Sequence, residues 1–164
     1  MWIYIVSLLG SLLLVSVHTE AAYKIGIVKV SSIFQQLPQR TVIAKKLETE
    51  FNDRAMDLQR QEREIQSKIQ KLQRDGSTMK ASDRTKMEKD IMAQRDIFFQ
   101  HAQVFEQDNR RRQAEENNKL LSRIQDAVSI IAKDKGYDLV IDANAVAYTN
   151  SSYDITAQVL KQVK

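Results

Sequence analysis

The stretch FNDRAMDLQRQEREIQSKIQKLQRD, residues 51–75, places an apolar residue at every seventh position, and KMEKDIMAQRDIFFQHAQVF, residues 86–105, repeats this pattern. A seven-residue apolar period with charged residues between is typical of a coiled-coil seam. The intervening segment, residues 75–82, contains Gly76 and is a natural break. Folding the chain back there pairs apolar residues with apolar residues, so the pattern favours an antiparallel hairpin within one chain over parallel pairing of two copies.

The fold-back predicts individual contacts between the two helices, and its apolar pairs are Phe51 with Phe105, Leu58 with Phe98, Ile65 with Ile91, and Ile69 with Met87. The same register places Ala55 opposite His101. It also pairs Glu62 with Gln94. Because polar layers weaken interhelical packing, we expect the hairpin to bend at Glu62 and Gln94.

Shorter elements flank the hairpin. Residues 23–30 alternate and are β-branched, which predicts a strand, and a short helix is expected before Pro38. The second long helix is expected to reach about Lys135, where Gly136 ends it. Its polar segment, residues 108–119, is predicted to be solvated nearly all round and to connect the projecting arm to its root. The elements expected after Gly136 are strands at residues 137–143 and 145–148, a polar turn at residues 149–152 and a short helix from Asp154.

These elements predict a mainly α fold with a small β body (α+β), in which a long coiled-coil hairpin arm projects from a strand-containing body. The divisions are a signal peptide at residues 1–21, an association body at residues 22–43 and 120–164, and the arm at residues 44–119 with its tip at residues 75–82. A body this small is marginal alone, and the chain has no cysteine to support it with disulfides. We therefore expect a homo-oligomer whose bodies share a core.

The first residues predict export. Residues 2–17 are uninterruptedly apolar or small, which is short for a membrane span of ~20 residues and suits a secretory signal. Small residues at Thr19 and Ala21 predict cleavage between Ala21 and Ala22. No Lys or Arg precedes the apolar run, so an uncleaved anchor or a misassigned start codon remains an alternative.

The inventory of reactive residues argues against an enzyme. Cysteine is absent, so there is neither a thiol nucleophile nor a zinc–thiolate site. Outside the signal, His101 is the single histidine, and its seam position favours a structural role. The four glycines are scattered and form no phosphate-binding loop. We expect no catalytic residues, no metal site and no cofactor.

The charge distribution predicts anionic partners. The chain has 25 basic and 21 acidic residues, and residues 68–89 around the tip carry a net charge of +4. The basic residues of this tip are Lys68, Lys71, Arg74, Lys80, Arg84, Lys86 and Lys89. Either this is an ordinary solvated surface, or it contacts anionic lipid headgroups or acidic client proteins.

Two other function classes remain open. One is a structural coiled coil that tethers parts of the cell envelope. The other, less favoured, is a basic nucleic-acid binder. The arms carry nearly balanced charge, the basic tip has no aromatic residue for stacking, and no DNA-reading motif occurs, so we expect no nucleic-acid partner.

The chain resembles the Skp (OmpH-like) family of periplasmic chaperones over essentially its whole mature length. The segments that carry the resemblance are KIGIVKVSSIFQQ (24–36), SDRTKMEKDIMAQR (82–95), AQVFEQDNRRR (102–112), DLVIDANAVAY (138–148) and DITAQVLKQVK (154–164). The resemblance implies a periplasmic homotrimer whose three arms enclose a cavity. Such proteins hold unfolded outer-membrane β-barrel proteins after export, prevent their aggregation and pass them on for membrane insertion, without ATP.

The resemblance also implies lipopolysaccharide binding at residues 101–112, where His101, Arg111 and Arg112 match the family's basic positions. The first of these is a lysine in the family pattern and a histidine here. Near neutral pH an ordinary histidine is mostly uncharged, which weakens that part of the predicted site.

Overall fold

The computed structural model describes residues 23–164, so the predicted signal peptide and its cleavage site at Ala21 and Ala22 lie outside the described residues. The elements are β1 (Ile25–Val28), α1 (Val30–Gln36), α2 (Gln39–Asp75), α3 (Ala81–Lys135), β2 (Leu139–Asp142) and α4 (Thr156–Val163). Within residues 23–164, none of the helices combines the length and the apolar character that a membrane span requires.

Helices α2 and α3 form the predicted antiparallel hairpin within one chain. Phe51 of α2 meets Phe105 of α3 edge to face, with ring centroids 5.6 Å apart, which confirms this predicted pair. Ile65 and Ile91 are buried on the facing stripes. At 1.5 Å per residue the 55-residue α3 is ~80 Å long, so most of the hairpin projects as an arm.

Two of the predicted seam positions are wrong. His101 is exposed, with its Nδ1 3.2 Å from Gln61 Oε1, so it is not enclosed in the seam. Gln94 donates to Asp90 within α3 at 3.2 Å, and the exposed Glu62 lines a different groove. A straight helix drifts by about 20° per heptad relative to an ideal seven-residue repeat, which moves positions at the edge of the stripe away from the seam.

The root of the arm, residues 23–38 and 120–164, contains a two-stranded parallel sheet. Ile27 of β1 pairs with Ile141 of β2. On the other edge of β1, the Ile155 N–H donates to the Ile27 carbonyl at 2.9 Å. This bond joins the start of α4 to the strand, so the last segment of the chain is held against the first.

The predicted strand at residues 145–148 does not form. Residues 143–145 instead make one turn of 3-10 helix, because the Asp142 carboxylate accepts a hydrogen bond from the Asn144 backbone N–H at 2.9 Å. Such a local bond offers the backbone an alternative to a sheet. Gly136 ends α3 as predicted, with a left-handed φ of 66° that favours glycine.

The continuous hydrophobic core of the chain lies in the root. Ile33 of α1, Ile124 of α3, and Ile155 and Val159 at α4 are essentially inaccessible to solvent. The other buried members of this core are Val28, Leu37, Leu120, Ala127, Ile131 and Val163. Elements from both ends of the chain thus hold the base of α3.

Truncation of this core should destabilise the root. Ile124→Ala removes a fully buried side chain and should lower the free energy of unfolding by about 2–5 kcal/mol. The matched control Val42→Ala, at a side chain that is 67% exposed, should change it by less than about 0.5 kcal/mol. Urea unfolding at one fixed protein concentration measures both, and equal effects would contradict this location of the core.

Candidate functional site

The candidate functional surface of this chain lies on the arm. Among residues 23–164 there is no group of three or more His, Asp or Glu side chains placed to hold a metal ion. The arm instead exposes large apolar side chains along its length, namely Met56, Met92, Ile97, Phe99 and Val104. Exposed apolar side chains in this number indicate a binding surface.

One groove between α2 and α3, which we call the His101 groove, is formed by two adjacent hollows that share Gln61 and His101. Arg54, at the end nearer the root, binds Asp108 at 2.9 Å. The contact of Gln61 with His101 divides the groove into two shallow hollows. Leu58, Val104 and Phe105 line the hollow nearer the root, of about 240 Å³, and Ile65 and Ile97 line the other, of about 230 Å³.

The opposite side of the seam carries a second apolar surface, the Phe99 face, formed by Met92, Arg95 and Phe99. Phe99 is 59% exposed and its ring centroid lies 5.9 Å from that of the partly buried Phe98. Both sides of the arm therefore present shallow, open apolar surface beside charged groups. Such a surface suits many weak contacts with a non-native chain rather than one tightly held ligand.

The predicted basic tip is partly paired within the arm. Lys68 binds Asp90, Arg74 binds Asp75 and Arg84 binds Glu88, while Lys71, Lys80, Lys86 and Lys89 form no ion pair within residues 23–164. Hydrogen bonds from Arg74 and from Lys68 lower the pKa values of Asp75 and Asp90 respectively. Lys68, Lys71 and Lys86 surround a hollow of about 490 Å³ that Met79 and Met87 also line. Asp83 and Asp90 line the same hollow, so the structure brings three lysines together beside apolar side chains and two carboxylates.

An ion cluster joins the two helices where the arm meets the root. The Arg112 guanidinium binds both carboxylate oxygens of Glu50, at 2.8 and 3.1 Å, and also binds Glu115 and Glu116. The Glu116 carboxylate, 8% exposed, accepts further bonds from Lys46 and Lys119. We call these residues the root ion cluster; its members are Lys46, Glu50, Arg112, Glu115, Glu116 and Lys119.

The root ion cluster corrects the prediction that the joint at residues 108–119 is solvated nearly all round, because Glu116 is buried and Arg112 is largely covered. Hydrogen bonds from Lys119, Arg112 and Lys46 lower the pKa of Glu116 to about 2. The sequence contained an indication of this cluster, since Arg112 continues the stripe of Phe98 and Phe105. The cluster was not predicted because its charged partners on α2 are 62 to 70 residues away from those on α3.

The predicted lipopolysaccharide residues occupy three different environments. His101 lies in the His101 groove and Arg112 in the root ion cluster. The exposed Arg111 binds Asp108 and Glu115 of its own helix, at 3.2 and 2.8 Å. The structure does not gather these side chains into one pocket, and the assignment stays a prediction.

Comparisons with known proteins agree on one family. The profile of the family described as "Outer membrane protein (OmpH-like)" matches residues 24–163. A protein of Pectobacterium atrosepticum named "Chaperone protein Skp" is 66% identical over 95% of this chain and 94% of its own, and one of the same name from Escherichia coli K12 is 54% identical over 93% of each.

A solved structure shares the fold at low sequence identity. The crystal structure of an OmpH-like protein from Caulobacter crescentus superposes with a TM-score of 0.74, covering 93% of this chain and 90% of that one, at 12% identity. At this identity the likeness concerns the fold, which in both chains includes the arm and its root.

The root ion cluster predicts a specific pH dependence. Because the pKa of Glu116 is lowered to about 2, its ionised form stabilises the folded chain above the unfolded pKa of roughly 4.3, and this contribution is lost as the pH falls towards 2. Glu116→Gln should therefore lower the free energy of unfolding at pH 6 to 7, and its deficit relative to the parent protein should shrink between about pH 4 and pH 2.

The control is Glu106→Gln, the same substitution at an exposed residue that pairs only with Arg110 within the described chain. Its effect should be small at every pH, as for most surface ion pairs. Denaturant unfolding across this pH range measures both variants. A pH-independent deficit for Glu116→Gln would contradict the role of the ionised carboxylate.

Proposed function

The chain belongs to the OmpH-like outer membrane protein family, and from this premise we propose that it is a periplasmic holdase chaperone that binds unfolded outer-membrane β-barrel proteins after export. It keeps them from aggregating and releases them for membrane insertion without ATP. The observation that carries the proposal is the identity of 54–66%, over nearly the whole chain, to relatives named as chaperones.

The surface of the arm supports this function physically. Its hollows are shallow and each is lined by only two or three apolar side chains, Val104 and Ile97 among them, so each holds a client weakly. Many weak contacts prevent aggregation and still permit release, whereas one deep pocket would bind a client tightly and slow its release. No step of this function requires an enzymatic reaction or a cofactor.

We further propose a homotrimer assembled through the roots. Ile130 on α3 and Leu139 on β2 are about half exposed beside the root core, and no strand within residues 23–164 pairs with the outer edge of β2. An unpaired strand edge and exposed aliphatic side chains favour association. With three copies joined at the roots, the arms project together and surround the space in which a client lies.

Export and membrane contacts complete the proposal. The apolar start of the chain directs export, and cleavage between Ala21 and Ala22 leaves the mature periplasmic protein. The tip lysines without an ion pair within the described residues, Lys71, Lys80, Lys86 and Lys89, contact anionic phospholipid. Mass spectrometry of the exported protein tests the cleavage site directly.

A holdase assay separates the three function classes. The exported protein should keep a urea-unfolded β-barrel protein soluble after dilution, without nucleotide, and its mass in solution should be three times that of one chain. A structural envelope coiled coil gives no protection, and a nucleic-acid binder gives salt-sensitive DNA binding instead. A protein that leaves the diluted β-barrel protein to aggregate would refute the chaperone proposal.

Lipopolysaccharide binding predicts a difference between adjacent arginines. Arg111→Ala should weaken binding roughly fivefold, the scale of one exposed charge-assisted phosphate contact. Arg110→Ala is the matched control, because within residues 23–164 Arg110 pairs with Glu106 alone, and it is not one of the three predicted residues. Binding of fluorescent lipopolysaccharide to each variant measures the effect, and equal losses for both would leave only a general attraction to positive charge.

A further inference from the structure

We propose that neighbouring arms of one homotrimer dock on each other when no client is bound, with Arg95 and Phe99 of each copy seated in the His101 groove of the next. The inference rests on the proposed function, because it identifies what covers the client-binding surface when no client is bound. The occupant of the groove is then a second copy of this chain, and a client gains access by displacing it.

The spacing of the two hollows fits a helix better than an extended client. Ile97 and Val104 mark the hollows and are seven residues apart on α3, which is about 10.5 Å along the helix. Side chains on one face of an extended strand recur at about 6.6 and 13 Å, so neither spacing matches.

The positions of the two surfaces along the arm also agree. In a cyclic trimer one rotation axis relates the three arms, so equivalent residues lie at the same height along that axis, and a projecting side chain and the hollow that receives it must also share that height. Phe99 lies within two residues, or about 3 Å, of Ile97, which lines the hollow farther from the root. Docking therefore needs no sliding of one arm along another.

The charges beside this contact are complementary. Arg95 is exposed and forms no ion pair within residues 23–164. Glu64 lines the same hollow, and its ion-pair contact with Arg60 is long, at 3.9 Å. When Phe99 enters the hollow of the next copy, Arg95, one helical turn away, reaches the level of Glu64. A contact between two different surfaces repeated around a threefold axis closes a ring.

Paired cysteines test the contact in the full exported chain, which has no native cysteine. The test variant combines Gln61→Cys, in the groove, with Gln103→Cys, an exposed position one helical turn from the retained Phe99. The control combines Ser67→Cys, an exposed position outside both arm surfaces, with Gln103→Cys. After mild oxidation of the client-free protein, a denaturing gel without reductant should show covalent trimer for the test pair and mostly monomer for the control.

Client binding should suppress this crosslink, so a saturating unfolded β-barrel protein, added before oxidation, should reduce the covalent trimer to the level of the control pair. A test pair that never exceeds the control overturns the inference, as does a yield that the client leaves unchanged. Crosslinked species larger than a trimer that increase with concentration also overturn it, because they show contacts between separate assemblies. The holdase assay on the same reduced protein tests the proposed function independently.

Phe99→Ala gives a second readout without cysteines. Loss of the docked ring should raise the rate of client association by about fivefold, the factor that burial of roughly half a phenylalanine side chain gives. The control Ser67→Ala, at an exposed position outside both arm surfaces, should leave the rate unchanged. A slower or unchanged rate for Phe99→Ala overturns the inference, and a slower rate identifies Phe99 as a direct client contact.

Discussion

The thin seam between α2 and α3 is the constraint on which this structure depends. A two-helix hairpin has no third element to cover it, so each helix buries one narrow stripe, whose most enclosed members beyond the root are Leu47, Phe51, Ile65 and Ile91. The side chains next to this stripe, such as Ile97 and Phe99, remain partly exposed. The apolar surface that makes the arm a binding surface is therefore a direct consequence of how little the hairpin can bury.

The root supplies the stability that the arm lacks, and the root ion cluster joins the two. Ile124 and Val159 enclose a continuous core from both ends of the chain, while Arg112 and Glu116 fix the arm where α2 separates from that core. Removing one partner from a buried ion pair leaves an unpaired charge and is costly. The cluster therefore restricts the relative position of the helices at the base of the arm, through Arg112–Glu50 and Lys46–Glu116.

The sequence predicted the parts of this structure that follow from local period and from stop signals. The hairpin, its tip near Gly76, and the end of α3 at Gly136 follow from such signals and are confirmed. The strand at residues 145–148 was wrong because the Asp142 side chain competes locally for the backbone. The partners of His101 and Glu116 were missed because they depend on the rotation of one helix against the other, which a seven-residue period does not fix to within one residue.

The rotation of α3 against α2 also decides which arginine is available for an anionic ligand. Arg112 holds three carboxylates, and withdrawing it towards a phosphate would leave Glu50 with no hydrogen-bonded cation and the buried Glu116 with two lysines alone. Arg111 is exposed, and its partners Asp108 and Glu115 each have a second arginine, Arg54 and Arg112 respectively. A phosphate that takes Arg111 therefore leaves every carboxylate paired, so anion binding at the base of the arm does not require the arm and root to separate.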